Sequence, residues 1–155
     1  KNQKMKSAQS RKSVKSSRIN LDRTRARVWA LQILYQWDVV NNKDSLSEMF
    51  EDVLLTRKIS NARIPYIKRI VSELDDQREL IDVALNEVLQ NWRLERLSVI
   101  DRSILRIAAL EMLCFPDIPP KVSILEGVRL AELYGGNESP GFVNGVLDAL
   151  MPRVK

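Results

Sequence analysis

The sequence predicts an all-α fold, a compact bundle of about seven helices in two helical subdomains, and three observations carry that expectation. Apolar residues recur at helical spacing over most of the chain, whereas no stretch keeps the period of two that a half-buried strand requires. Proline and glycine fall between the periodic stretches rather than inside them, and serine stands where a helix needs its first amides capped. With 155 residues the chain is long enough to fill one substantial core.

Residues 1–22 are rich in Ser, Lys and Arg and hold no aromatic residue, so they read as a basic extension disordered in isolation, ahead of a folded domain over 23–151 and a short tail over 152–155. From Arg23 the pattern changes. Ala26, Trp29, Ala30, Ile33, Leu34 and Trp37 make one apolar stripe, and this first helix is expected to end near Asn41 and Asn42. Ser45 with Glu48 reads as a capping box opening a second helix to about Thr56, followed by a polar loop over 57–62. Ile64, Ile67, Ile70, Val71 and Leu74 mark a third helix to about Asp76. Leu80, Ile81, Ala84, Leu85, Val88 and Leu89 mark a fourth after almost no break. Ser98 and Asp101 cap a fifth, whose apolar residues from Val99 to Leu113 surround most of its circumference, as a central helix requires. Pro116, Pro119 and Pro120 separate it from a sixth, expected from about Pro120 to Tyr134, closed where Gly135 and Gly136 would turn left-handed. Ser139 then caps a seventh, with Pro140 at its first position and Phe142, Val143, Val146, Leu147 and Leu150 along it.

Composition excludes several classes of chemistry. The chain has no histidine, which removes the usual general base, the commonest metal ligand and the Ser-His-Asp and Cys-His arrangements, so no metal, cofactor or catalytic site is expected. Asp75 and Asp76 are adjacent, but neighbours on a helix point about 100° apart and make a poor acid/base pair. The one cysteine, Cys114, can form no internal disulfide and fits a reducing compartment, and no apolar run approaches the roughly 18 residues of a membrane span. The expected address is cytoplasmic.

Charge is divided unevenly. Residues 1–27 hold ten Lys and Arg against Asp22 alone, a net +9, so the remaining 128 residues carry −4 within the total of +5. Such an arm attracts polyanions by releasing their counterions, although a solvating tail or an organelle transit peptide has the same composition. Arg23, Arg25 and Arg27 cluster at a helix start, where cations oppose the dipole by roughly 0.3 to 1 kcal/mol each. Either an anionic ligand or plain solvation accounts for them. The segment GGNESPGF over 135–142 feeds a glycine turn into a helix N-terminus, which suits phosphate, but it lacks the ending of a nucleotide-binding loop. Phe142 either staples that turn to the core or stacks on an unpaired base. Tyr35 and Trp92 are weaker candidates. Arg102 and Arg106 form a like-charged pair four residues apart, for which a nearby carboxylate is the favoured explanation and a partner protein or solvent the others.

Three stretches, over 23–38, 95–113 and 119–148, together resemble the NusB family of transcription antitermination factors. RTRARVWALQILYQWD over 23–38 is similar to the family's arginine-rich opening helix, and ERLSVIDRSILRIAALEML over 95–113 resembles its central helix. The most specific part is PPKVSILEGVRLAELYGGNESPGFVNGVLD over 119–148, with FVNGVLD after a small-residue turn. The resemblance implies binding of a single-stranded boxA element of ribosomal RNA leaders, jointly with the basic ribosomal protein S10 (NusE), within an RNA polymerase antitermination complex. A second copy of the chain is a further implied partner, since some members self-associate. RNA contacts are implied at Arg23, Arg25, Arg27, Tyr35, Glu138, Ser139 and Phe142. Thr24 and Gly141 stand where the family often has a basic residue. A protein-partner surface is implied around Glu95, Asp101, Arg102 and Arg106. Two other readings are a dimeric interaction module and the RNA-binding domain of a ribosomal RNA cytosine methyltransferase. On the main reading Arg27 and Phe142 lie close together on the surface, and Arg27→Ala weakens RNA binding with little effect on melting.

Overall fold

A computed structural model describes residues 2–40 and 44–155. Six α-helices account for most of them: α1 (Asn2–Val39), α2 (Leu46–Thr56), α3 (Ile64–Val88), α4 (Val99–Cys114), α5 (Pro120–Tyr134) and α6 (Ser139–Leu150), with single 3-10 turns at Leu94–Arg96 and Met151–Arg153. The described residues contain no strand and no helix long and apolar enough to cross a membrane.

Six helices rather than about seven follow from one missing break. Residues 75–79 hold neither proline nor glycine, so the expected third and fourth helices run on as α3, 25 residues long. A second correction concerns the basic extension. It was expected to lack lasting structure before Arg23, yet α1 begins at Asn2, because nothing in residues 2–22 breaks a helix and extending an existing helix costs far less than nucleating one. The expected end of the first helix at Asn41 and Asn42 lies outside the described residues.

The core forms where the apolar stripes meet. Ala26, Ala30, Ile33, Leu34 and Trp37 of α1 are buried, as the period required. Helix α4 packs against α1, α3, α5 and α6, and its run from Ser103 to Met112 is buried on nearly every side apart from Arg106. Two of the sequence caps are in place: Ser45 Oγ accepts the Glu48 amide at 3.1 Å, and Ser98 Oγ accepts the Asp101 amide at 3.1 Å. Asp75 has a structural task too, since its carboxylate accepts the Leu46 and Ser47 amides at 2.7 and 2.9 Å and so caps α2 from α3.

A charge lies at the centre of this core. Glu111 of α4 is 1% exposed, and its carboxylate accepts hydrogen bonds from Arg27 Nε at 2.7 Å, Ser123 Oγ at 2.9 Å and the Tyr66 hydroxyl. Burial opposes the Arg27 charge, but Glu111 outweighs it and the guanidinium pKa is raised. Burial and the same carboxylate push the Tyr66 phenol above its ordinary range. The expectation for Arg27 is therefore corrected: its side chain is 3% exposed and structural. Breaking such a pair leaves an uncompensated buried charge, so Arg27→Ala is expected to lower unfolding stability by about 3 to 5 kcal/mol, read by urea denaturation. A loss under about 1 kcal/mol would show that the site hydrates at little cost.

Candidate nucleic-acid interface

Where α5 hands over to α6, the chain must turn within four residues, and Gly135 makes that turn tight. A Cβ there would lie 2.6 Å from the Ser139 Cβ and 2.8 Å from the Ala131 carbonyl oxygen. The need is for space, not for a left-handed backbone, because Gly135 has φ −89°. Ser139 is the first residue of α6, with Glu138 at the cap position, and its buried hydroxyl accepts the Gly136 amide at 3.0 Å. The expected capping role of Ser139 is corrected accordingly: it ties the turn together.

This turn forms one wall of an open cleft of about 710 Å³. Glu138, Ser139 and Phe142 stand on that wall, and the cleft is completed by Trp92 and Arg96, on the segment leading into α4, and by Asp101 in the first turn of α4. Phe142 is half-buried against the core, whereas Trp92 is 59% exposed. Asp101 Oδ1 is buried with no hydrogen-bond partner among the described residues. The cleft thus combines two aromatic rings, a guanidinium and two carboxylates. Arg96 carried no sequence signal, since it sits in a single 3-10 turn outside any periodic stretch.

The remaining expected residues are scattered. Arg23 stacks 5.3 Å from the Tyr66 ring and lies 3.7 Å from Asp117, in a groove separate from the cleft. Arg25 is exposed and has no ion pair among the described residues. With Arg27 buried, the three arginines do not form one site, and the structure does not bring Arg27 beside Phe142 in the cleft. Tyr35 is 43% exposed on α1 and does not line the cleft. Glu95 is exposed and lies 3.7 Å from Arg93.

Arg102 and Arg106 are corrected as partner contacts, because they are only 12% and 11% exposed and their charges are engaged internally. Arg102 donates to Asp38 at 2.8 Å and to the carbonyls of Glu95 and Leu97 at 3.0 and 3.2 Å. Arg106 grips both oxygens of Asp82 at 2.9 and 3.0 Å. Arg102 thereby links the segment before α4 to Asp38 of α1, while the Arg106–Asp82 pair joins α4 to α3.

Fold and cleft together define an all-α bundle of packed helices with an aromatic-lined surface cleft. The chain belongs to the NusB family, whose model matches residues 24–152. It is similar to the transcription antitermination protein NusB of Clostridium novyi (strain NT), with 36% identity over 129 residues, 82% of this chain and 96% of that one. Among solved structures it is similar to NusB of T. maritima, with TM-score 0.75 and 33% identity over 84% of this chain and 90% of that one. A crystal structure of the antitermination factors NusB and NusE in complex with dsRNA aligns with TM-score 0.74 and 26% identity, covering 85% of this chain and 97% of that one.

Asp117 gives a pH test of the surface packing. The paired hydrogen bonds from Arg69, at 2.6 and 2.8 Å, hold its carboxyl down to about 2. A depressed carboxylate contributes stability above its unfolded pKa of about 4, and the contribution disappears as pH falls through the folded value. Asp117 is 47% exposed, so screening limits the effect to about 0.5 kcal/mol. Wild type is expected to exceed Asp117→Asn by that amount at pH 6, with the difference vanishing between about pH 4 and 2 in urea titrations. A difference independent of pH would assign the effect to packing.

Proposed function

We propose that this chain is a transcription antitermination protein that binds an unpaired, boxA-type RNA strand together with ribosomal protein S10 (NusE), in the cytoplasm, and helps RNA polymerase read through terminators. The observation that carries this reading is the pairing of Phe142 with Trp92 in one cleft. Every base has a π-face, so the exposed Trp92 ring and the half-buried Phe142 ring that lines the same cleft hold unpaired bases by stacking, worth about 1 to 3 kcal/mol per base. Exposed Glu138 is placed to accept hydrogen bonds from base amino groups, and exposed Arg96 to meet a phosphate. A related NusB and NusE, solved in complex with dsRNA, support RNA and S10 (NusE) as partners. The S10 surface is assigned to the acidic body, around exposed Glu95, since S10 is basic.

The reading contains no catalytic step. It rests on the absence of histidine from the sequence and on burial, which pushes the Cys114 thiol above its ordinary range and so makes it a poorer nucleophile.

Fluorescence anisotropy with boxA-type RNA, with and without S10, tests the proposal. Trp92→Ala and Phe142→Ala are each expected to weaken binding about 5- to 150-fold, and exposed Trp92→Ala to leave the melting temperature nearly unchanged. Unaltered affinity in both variants would exclude the cleft as the RNA site.

A further inference from the structure

Trp92 lines a second hollow besides the cleft. It has a volume of about 560 Å³ and lies between the end of α3 and the 3-10 turn, bounded by Asn86, Gln90, Asn91, Arg93 and Glu95. Trp92 is the one residue common to the two hollows. The local sequence explains the arrangement. Leu89 and Leu94 are buried, so the four residues between them bridge two fixed points, and all four are exposed. The bridge is pinned at its far end, where the Leu94 amide donates to Asn86 Oδ1 at 2.8 Å.

The chemistry of this hollow differs from that of the cleft. Its polar lining is mostly carboxamide, and among the described residues neither the Gln90 nor the Asn91 side chain has a hydrogen-bond partner. A carboxamide presents an acceptor and a donor side by side. Two of them match one base in full. In adenine the N6 amino group lies between N1 and N7, so one carboxamide pairs with N6 and N7 on one edge while another pairs with N6 and N1 on the other. Cytosine offers such a pair on one edge only, guanine sets O6 beside N7 as two acceptors, and uracil has a single imide N–H to give. The ring that serves this hollow also serves the cleft, and an indole has two faces on which successive unpaired bases can stack.

We propose that this hollow is a base-reading subsite for adenine, in which Trp92 stacks between two successive unpaired bases and Gln90 and Asn91 read the one outside the cleft by its N1, N6 and N7 atoms. It rests on the reading that the chain binds an unpaired RNA strand, and it adds sequence specificity to that reading. Stacking on Trp92 and Phe142 accepts any base, whereas two carboxamides around one base do not.

The test uses the full chain with S10 and a boxA-type RNA in which each position in turn carries all four bases, read by fluorescence anisotropy. Wild type is expected to prefer adenine at one position by about 5- to 150-fold, the range of one bidentate amide contact. Replacing that adenine with 7-deazaadenine, which lacks N7, or with unsubstituted purine, which lacks the amino group, lowers affinity. The double variant Q90A/N91A alters only exposed side chains, and circular dichroism checks that its helix content and melting are retained. It binds all four bases at that position alike, with the affinity that wild type has for the strand lacking the adenine. Wild-type binding without an adenine preference at any position overturns the subsite and leaves the RNA reading standing, as does a preference that survives in Q90A/N91A. A variant that loses affinity for S10 in the absence of RNA also overturns it, since the hollow is then a protein-docking surface. If wild type binds none of the strands at low salt, with or without S10, the RNA reading and the subsite fall together.

Discussion

A carboxylate cannot be buried alone, and Glu111 is the place where this constraint organises the molecule. It lies on the central helix and is reached by Arg27 from α1, Tyr66 from α3 and Ser123 from α5, so one side chain ties four helices together. Glu126 adds a second acidic contact 3.7 Å from Arg27 and accepts the Thr24 hydroxyl at 3.0 Å. The arrangement fixes the rotation of α1. With Arg27 turned inward, Arg25 is turned about 160° away and faces solvent.

A second polar tie positions the cleft. Asp38, near the end of α1, accepts from both Arg102 and Arg106, and Arg102 reaches on to the carbonyls of the preceding segment. The residues between α3 and α4 form only a single 3-10 turn, and beside this anchor they are held by buried Leu94, whose amide donates to Asn86 Oδ1 at 2.8 Å. Trp92 lies exposed in the same cleft as Phe142, on a segment whose carbonyls at Glu95 and Leu97 accept from Arg102. The two ties have different purposes. Glu111 secures the fold, and the Asp38 pairs secure the ligand surface.

Much of this was legible in the sequence, and the failures have physical causes. The stripe of α1, the serine caps at Ser45 and Ser98, the proline start of α5 and the all-round burial of α4 all follow from local rules, and the structure has each of them. The motif resemblance also held, because FVNGVLD and the arginine-rich opening are local features of a family that the chain does belong to. What failed depended on distance along the chain. Arginine at a helix start reads as a surface cation unless its acceptor is known, and Glu111 lies 84 residues from Arg27. Asp38 lies 64 residues from Arg102, so that pairing could be expected in kind but not assigned. The missing break in α3 is a case of propensity without punctuation, and Arg96 gave no signal because a single turn has no period to read.

The central claim is that buried charge holds Arg27 inside the fold and leaves the aromatic cleft to meet RNA. Side-chain NMR during an RNA titration tests this in one sample, by following the Arg27 Nε proton and the Trp92 indole proton together. The account predicts an Arg27 signal protected from solvent exchange and unmoved by RNA, beside a Trp92 signal that shifts as RNA is added. An Arg27 signal that exchanges freely and shifts with RNA, while Trp92 stays still, would contradict it.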